Sequence, residues 1–230
     1  MTRLLVSVRN VDEARIAREC GVDLIDLKEP DRGALGAVDF DEAARVAELL
    51  AGRTPMSMAR GELRDDAAAA GGAARVPANV AYAKLGLTRC ASYRAWPAAW
   101  LRWVATLPAA TSPVAVVYAD GAEVDAPSPE KVLETAATSR CRALLVDTAV
   151  KNGRTLADHW TCERLRRFIA EVHATGRLCV VGGSLDLASI PTVAACGADY
   201  VAVRGAACDG SRSGTLSPTK LRALRAALPM

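Results

Sequence analysis

The sequence predicts an α/β protein that folds as one (β/α)8 barrel of the TIM type, with residues 1–230 forming a single domain. Short apolar runs alternate with stretches of helical character along the whole chain, and eight such pairs can be counted. Near-continuous apolar strands between helices are typical of a parallel sheet whose outer face is covered. Eight units in 230 residues fit a closed barrel better than an open sheet.

The strands are predicted where short apolar runs alternate with the longer helical segments. In chain order the strands are Arg3–Val8, Asp23–Leu27, Pro55–Ala59, Val80–Leu85, Val114–Ala119, Ala143–Asp147, Leu178–Val181 and Tyr200–Val203. The predicted helices are Val11–Cys20, Phe40–Leu50, Leu63–Arg75, Ala95–Leu107, Pro129–Ser139, Cys162–Thr175, Leu187–Cys196 and Pro218–Leu228.

Glycine and proline mark several of these helix ends. Gly21 and Gly197 directly follow the first and seventh predicted helices, where a glycine in the left-handed conformation can end a helix. Ser128 and Ser217 each precede a proline, which places a capping residue before proline at the first helical position. The third unit, residues 60–79, is rich in alanine and glycine, and we interpret it as a frayed helix or a mobile lid.

Three tryptophans recur at helical spacing on the fourth predicted helix, at Trp96, Trp100 and Trp103. Such a stripe can mark a ligand platform, but outer barrel helices usually use it for packing. We therefore expect it to pack against the barrel or a neighbouring subunit, and we expect the protein to be a homo-oligomer.

Composition and charge exclude several classes of function. Hydrophobic residues make up 51% of the chain and charged residues 24%, as in globular proteins. The net charge of +3 is small and no block of five like charges occurs, so nucleic acid and membranes are not expected partners. A small anionic ligand remains compatible with this charge.

The cysteines and histidines argue against metal ions and disulfides. Seven scattered cysteines without a CxxC pair indicate a reduced, cytoplasmic protein. His159 and His173 have no second ligand at a recognisable spacing, and no GxGxxG follows the first strand, so we expect neither a metal nor another cofactor. No signal peptide or membrane span is predicted, which agrees with a cytoplasmic location.

Lysine is rare in this chain, and its positions are informative. Lysine and arginine number 29, of which five are lysine, leaving 24 arginines (29 minus 5). Lys28, Lys84 and Lys151 fall at or just beyond the ends of predicted strands two, four and six, where barrel enzymes place catalytic residues. Arginine binds anions equally well but stays protonated, whereas a neutral lysine can attack a carbonyl and form a Schiff base. The pattern favours amine chemistry over simple solvated charges.

Two aspartates accompany these lysines. Asp26 shares a strand face with Lys28, and Asp147 ends strand six four residues before Lys151. A carboxylate there can position an amine, accept a proton, or hold an ion pair that keeps the lysine charged. The sequence leaves these three roles open.

The loops after the last two strands have the composition of a phosphate cradle. Strand seven runs into Gly182-Gly183-Ser184, and strand eight runs into Arg204-Gly205-Ala206. Backbone N–H groups at these two positions often bind phosphate in such barrels, and Arg204 is predicted to add a forked charge-assisted contact. The predicted partner is a small phosphorylated substrate.

Several motifs together resemble one family. DLIDLKEPDRGALGA, YAKLGL, LLVDTAVKNGRTL, GGSL and VAVRGAAC occur in this order and resemble the (5-formylfuran-3-yl)methyl phosphate synthases, also called 4-(hydroxymethyl)-2-furancarboxaldehyde-phosphate synthases. The resemblance implies a lyase that condenses two molecules of glyceraldehyde 3-phosphate, with loss of phosphate and water. It implies that Lys28 forms the Schiff base, that Lys84 accepts a proton, and that Asp26, Asp147 and Lys151 assist. The product would be a furan precursor of methanofuran or of a related cofactor.

The chain departs from the family pattern at a few positions, including Val8, Glu29 and Asn79-Val80-Ala81. These departures leave open a changed substrate preference or another furan pathway. Two alternatives also remain open: a class I aldolase or sugar-phosphate isomerase built from the same parts, and a barrel that only binds a phosphorylated ligand.

Overall fold

Eight parallel strands close into a barrel in the computed structural model, which describes residues 1–65 and 75–229. Each strand pairs with its neighbours in chain order, and β1 also pairs with β8, which closes the barrel. The predicted fold class is thereby confirmed. The strands are β1 (Arg3–Val8), β2 (Leu24–Leu27), β3 (Met56–Glu62), β4 (Tyr82–Gly86), β5 (Ser112–Tyr118), β6 (Ala143–Asp147), β7 (Leu178–Val181) and β8 (Tyr200–Val203).

Helices connect the strands on the outside of the barrel. The described residues include α1 (Val11–Glu19), α2 (Phe40–Leu50), α3 (Trp96–Thr106), α4 (Pro129–Ala137), α5 (Cys162–Ala174), α6 (Ile190–Ala195) and α7 (Pro218–Ala226). Residues 66–74 lie outside the described residues, and they hold most of the helix predicted at Leu63–Arg75 and the central part of the segment 60–79 interpreted as a frayed helix or a mobile lid.

Most element boundaries lie within two residues of the prediction, and two differ from it by three residues. β3 continues to Glu62 instead of ending at Ala59. α6 begins at Ile190 instead of Leu187, because Asp186 and Ser189 form a turn before it: Ser189 N donates to Asp186 Oδ1 at 2.8 Å and Asp186 N donates to Ser189 Oγ at 2.9 Å. These short-range bonds compete with helix formation.

The helix-end signals are mostly as predicted. Gly21 and Gly197 both have positive φ, 70° and 98°, and end α1 and α6. Ser128 accepts a hydrogen bond from Lys131 N and caps α4. The side chain of Ser217 makes no capping hydrogen bond, so α7 has the predicted proline at its start but not the predicted serine cap.

The core has two layers. Apolar side chains between strands and helices form the outer layer, where Trp96, Trp100 and Trp103 are buried as the packing interpretation predicted. The rings of Trp100 and Trp103 lie 6.1 Å apart. The second layer fills the barrel interior with side chains such as Leu5, Leu24, Val114, Leu145, Val180 and Tyr200. This inner layer forms the floor of the cavity described next.

Candidate active site

Every second residue of a strand faces the barrel interior, and polar residues follow apolar ones towards the C-terminal ends. Along β2, Leu24 is followed by Asp26 and then by Lys28; along β6, Leu145 is followed by Asp147. These side chains line a cavity of about 460 Å³, a size typical of small-molecule sites. The predicted site residues that line it are Asp26, Lys28, Lys84, Asp147, Lys151, Gly182, Gly183, Ser184, Arg204, Gly205 and Ala206.

Asp26 is the centre of a buried polar network across four strands. Its carboxylate forms an ion pair with Lys84 and accepts hydrogen bonds from Ser57 Oγ at 2.8 Å and from Ser7 Oγ at 3.0 Å. Lys84 Nζ also donates to Ser57 Oγ at 3.2 Å. Strand register explains the arrangement, since Ser7, Asp26 and Ser57 are direct neighbours on β1, β2 and β3.

Charge keeps the Asp26 carboxyl ionised despite its burial. Burial alone raises its pKa, but the ammonium groups of Lys84 and Lys28 and the hydrogen bonds from Lys84 and Ser57 together lower the pKa below its usual value. Of the three roles left open by the sequence, the ion pair is the one present in the resting site, and its partner is Lys84 and not the neighbouring Lys28.

A second ion pair lies at the end of β6. Lys151 Nζ donates to Asp147 Oδ1 at 2.9 Å and to Thr148 Oγ1 at 2.9 Å. Burial raises the pKa of Asp147, but the Lys151 and Lys28 ammoniums outweigh this and lower the pKa overall. Asp120 supports the loop before Lys151, because its carboxylate accepts from Ala149 N and Val150 N, both at 2.8 Å.

Lys28 differs from both of these lysines. Only 7% of this residue is exposed to solvent. Yet within residues 1–65 and 75–229 its Nζ atom takes part in no hydrogen bond or ion pair. Burial lowers its pKa from 10.5 to about 8. The attraction of Asp147 and Asp26 opposes this shift, and repulsion from Lys151 and Lys84 offsets part of that attraction. A substantial neutral fraction near physiological pH is what a nucleophilic amine requires.

The loops after β7 and β8 supply free backbone donors. Gly182 N donates to Val146 O at 2.7 Å and so belongs to the barrel. In the described part of the chain, the N–H groups of Gly183, Ser184, Gly205 and Ala206 have no acceptor. These four groups border the cavity and suit an anionic oxygen.

Arg204 does not support the predicted forked contact to phosphate, because its guanidinium is already fully engaged. Its Nε donates to Arg212 O at 2.8 Å, and its two Nη atoms donate to Ser7 O, to Gly214 O and to both oxygens of Glu13. All five N–H donors are used in this way, so Arg204 stabilises the cavity wall through protein contacts.

Arg212, which also lines the cavity, was not identified from the sequence. It lies nine residues beyond β8 in the loop after that strand, and this chain contains too many arginines for one more to attract attention. Its proximity to Gly205 is produced only by the folded loop.

Two further observations on the described residues concern metal ions and membranes. In this part of the chain, no group of three or more His, Cys, Asp or Glu side chains is arranged to hold a metal ion. No helix there has both the length and the apolar character needed to cross a membrane.

Fold and cavity together define the class: a (β/α)8 barrel whose strand ends carry lysine–aspartate pairs around a small-molecule pocket. The chain belongs to the 4-HFC-P synthase family, whose model matches residues 4–225. It is 37% identical to the (5-formylfuran-3-yl)methyl phosphate synthase of Methanopyrus kandleri, over 98% of both chains. It is 34% identical to the protein of that name from Methanococcus maripaludis, over 89% of both chains. The resemblance stated from the motifs is confirmed, and the function at family level is that of a furan phosphate synthase.

Solved structures of other proteins share the fold. The phosphoribosyl anthranilate isomerase of Thermus thermophilus superposes with a TM-score of 0.62 over 98% of both chains, at 16% sequence identity. At this identity the likeness shows the barrel alone and carries no information on substrate.

Proposed function

We propose that this protein condenses two molecules of glyceraldehyde 3-phosphate into (5-formylfuran-3-yl)methyl phosphate through a Schiff base on Lys28, with loss of phosphate and water. The observation that carries this proposal is the state of the Lys28 amine, which is buried, without an ion-pair partner in the described chain, and of lowered pKa. The family membership supports the product.

The first chemical step follows from the position of this amine. Neutral Nζ of Lys28 attacks the carbonyl carbon of the first substrate, and loss of water from the adduct gives an iminium ion. The positive nitrogen acidifies the adjacent C–H bond, so removal of that proton gives an enamine that can attack the second aldehyde. Ion-paired Lys84 and Lys151 remain charged, and their repulsion offsets part of the attraction by which Asp147 and Asp26 favour the protonated Lys28 amine.

Proton transfer is assigned to the buried pair of Lys84 and Asp26. Ser57 contacts both of them, so a proton can move between ammonium, hydroxyl and carboxylate without solvent. Asp147 and Lys151 form the equivalent pair on the opposite wall and are proposed to assist the dehydration steps. The free N–H groups after β7 and β8 are proposed to bind a substrate phosphate.

Trapping the Schiff base tests the proposal directly. The protein is incubated with glyceraldehyde 3-phosphate and borohydride, and peptides are examined by mass spectrometry for a reduced adduct. We expect the adduct on Lys28, and we expect Lys28→Arg to lose adduct and turnover while retaining part of its affinity for the substrate. Absence of an adduct on Lys28 in folded wild-type protein would contradict the proposal.

The product distinguishes the remaining alternatives. A conjugated furan aldehyde absorbs in the near ultraviolet, whereas the products of an aldolase or a sugar-phosphate isomerase do not. A barrel that only binds its ligand would give neither adduct nor product, and Lys28→Arg would leave its affinity nearly unchanged.

A further inference from the structure

The loop that follows β8 places a second arginine at the cavity. Residues 208–216 form a closed turn, in which Cys208 and Leu216 form an antiparallel bridge and Asp209 N donates to Thr215 O at 2.9 Å. Arg212 lies in this turn directly over Gly205, where an added β-carbon would stand 3.7 Å from Cβ of Arg212. This is an ordinary van der Waals distance, and it places Arg212 beside the proposed phosphate loops.

The guanidinium of Arg212 has unused donors. Among the described residues its only hydrogen bond runs from Nη2 to Gly33 O at 3.2 Å, which leaves four of its five N–H groups (5 minus 1). It forms no ion pair within those residues, and partial burial lowers its pKa. Asp147, Asp31 and Glu29 attract it only from beyond ion-pair distance. A half-buried cation that borders a cavity and forms no direct ion pair can bind an anionic ligand.

Arg204 fixes the backbone of this loop. It donates to the carbonyl oxygens of Arg212, at 2.8 Å, and Gly214, at 2.9 Å, while Glu13 of α1 neutralises its charge. A separate contact holds the tip of the loop, since Arg9 Nη1 donates to Ser213 O at 3.0 Å. The position of Arg212 over the cavity is therefore set by contacts from the two ends of the chain sequence.

We infer that Arg212 is the cation that binds the phosphate group of the substrate together with the loops after β7 and β8, and that Arg204 is a positioning residue that holds Arg212 there. This inference rests on the proposed function for the identity of the ligand as a phosphate monoester. A guanidinium fork can donate two parallel hydrogen bonds to one phosphate, which a lysine cannot do.

Equilibrium binding of glycerol 3-phosphate, measured by calorimetry, tests the role of Arg212 without any turnover. Arg212→Gln is expected to weaken binding about 10- to 100-fold, and Arg212→Lys to restore only part of the loss. Arg89→Gln is the matched control, because Arg89 is an exposed arginine beyond β4, pairs with Asp65 at 2.8 Å and does not line the cavity. In steady-state kinetics the loss in Arg212→Gln should appear mainly in KM. Equal affinities for Arg212→Gln and Arg89→Gln would overturn the inference.

Arg204 is tested by a double-mutant cycle. Arg204→Lys keeps the charge beside Glu13 but loses the fork that reaches both loop carbonyls, so it should weaken glycerol 3-phosphate binding. In the Arg212→Gln background the same change should have little further effect, because its target is already gone. Equal effects of Arg204→Lys in both backgrounds would show that Arg204 has only a general structural role.

The test of Arg212 and the test of the proposed function can fail independently of each other. Trapping with non-phosphorylated glyceraldehyde reports on Lys28 alone, and Arg212→Gln should form that adduct as readily as wild type. Loss of phosphate affinity without any Lys28 adduct would overturn the proposed condensation and leave the anion site standing. An adduct on Lys28 with unchanged phosphate affinity in Arg212→Gln would overturn the role of Arg212 and leave the proposed Schiff base standing.

Discussion

Three lysine side chains that border one cavity differ in the partners of their amino groups. Lys84 and Lys151 each form an ion pair with an aspartate, whereas Lys28 lies between the two pairs without one in the described chain. Repulsion from its two charged neighbours adds to burial and lowers the pKa of Lys28. Burial thus favours the neutral form of the third amine, and the lysines of the two ion pairs offset part of the opposing attraction of their aspartates.

Replacement of Lys28 and replacement of Lys84 should change the stability of the protein in opposite directions. At pH 7 the folded protein holds a protonated Lys28 whose pKa has fallen from 10.5 to about 8, an unfavourable term of about 3 kcal/mol. Lys28→Met should therefore raise the free energy of unfolding by up to about that amount. Lys84→Met removes the partner of buried Asp26 and should lower the free energy of unfolding by about 3–5 kcal/mol. Urea unfolding measures both changes.

The pH dependence gives an internal control for Lys28→Met. Between pH 8 and 10.5 the unfolded wild-type chain binds more protons at this lysine than the folded protein, so wild type gains stability as the pH rises. The advantage of Lys28→Met should be full below pH 8 and fade towards pH 10.5. A constant difference across this range, or a less stable Lys28→Met at pH 7, would contradict the electrostatic account.

Most of the charged residues of the cavity could be identified from the sequence, but their pairing could not. Scarcity of lysine and strand alternation were sufficient to find Lys28 and Asp26, because both signals are local. The partner of Asp26 is Lys84, 58 residues away, and this pairing depends on how β2, β3 and β4 pack. Arg204 and Arg212 are also resolved only by the fold, since both are arginines in one loop and differ only in whether acceptors surround them.

At the scale of elements, the C-terminal ends of β3, β4 and β5 are joined by one carboxylate. Glu62 at the end of β3 accepts from Tyr118 Oη of β5 at 2.5 Å and from Thr88 N after β4 at 2.9 Å. It occupies the space above Gly86, where an added β-carbon would lie 2.2 Å from its carboxylate oxygens. Burial raises the pKa of Glu62, against the lowering effect of these hydrogen bonds.

Gly86→Ala should therefore destabilise the protein. The new methyl group would displace the Glu62 carboxylate from its buried donors, at a cost of about 1–3 kcal/mol in the free energy of unfolding. Gly121→Ala is the matched control, because a β-carbon there would meet only ordinary contacts, the nearest at 3.5 Å. Equal unfolding midpoints for the two variants in urea would refute the role given to this carboxylate.

The elements themselves were predictable to different degrees. β1, β6, β7 and β8 have the predicted bounds because their apolar runs end sharply at polar or glycine residues. The start of α6 and the end of β3 were missed, since a side-chain turn at Asp186 and the inward contacts of Glu62 outweigh local propensity. The first contact is a local side-chain turn and the second is tertiary, and hydrophobic periodicity predicts neither of them.

At the scale of the whole molecule, a closed barrel buries most of its thiols. All seven cysteines are free; five of them are buried, Cys20 is half-buried, and Cys162 at the start of α5 is exposed. Buried thiols react with aqueous reagents only when the structure opens, so their labelling reports unfolding of the barrel as a unit.

Titration with Ellman's reagent should reflect this division. Native protein should release about one equivalent quickly from Cys162 and a second more slowly from Cys20, and denatured protein should release all seven. Cys162→Ser should remove the fast equivalent and leave the other rates unchanged. Rapid reaction of five or more thiols in native protein would show that the barrel is not closed as described.

The contact between Arg204 and the first strand and helix has a consequence for synthesis. Ser7 and Glu13 precede Arg204 by 197 and 191 residues, so at about 5–20 residues per second they leave the ribosome about 10–40 s before their partner. During that interval Glu13 lacks its partner Arg204, and Arg212 has not yet been made. Lys28 therefore leaves the ribosome long before the loop that carries Arg212, and the part of the cavity wall that Arg204 stabilises can form only after that loop has been made.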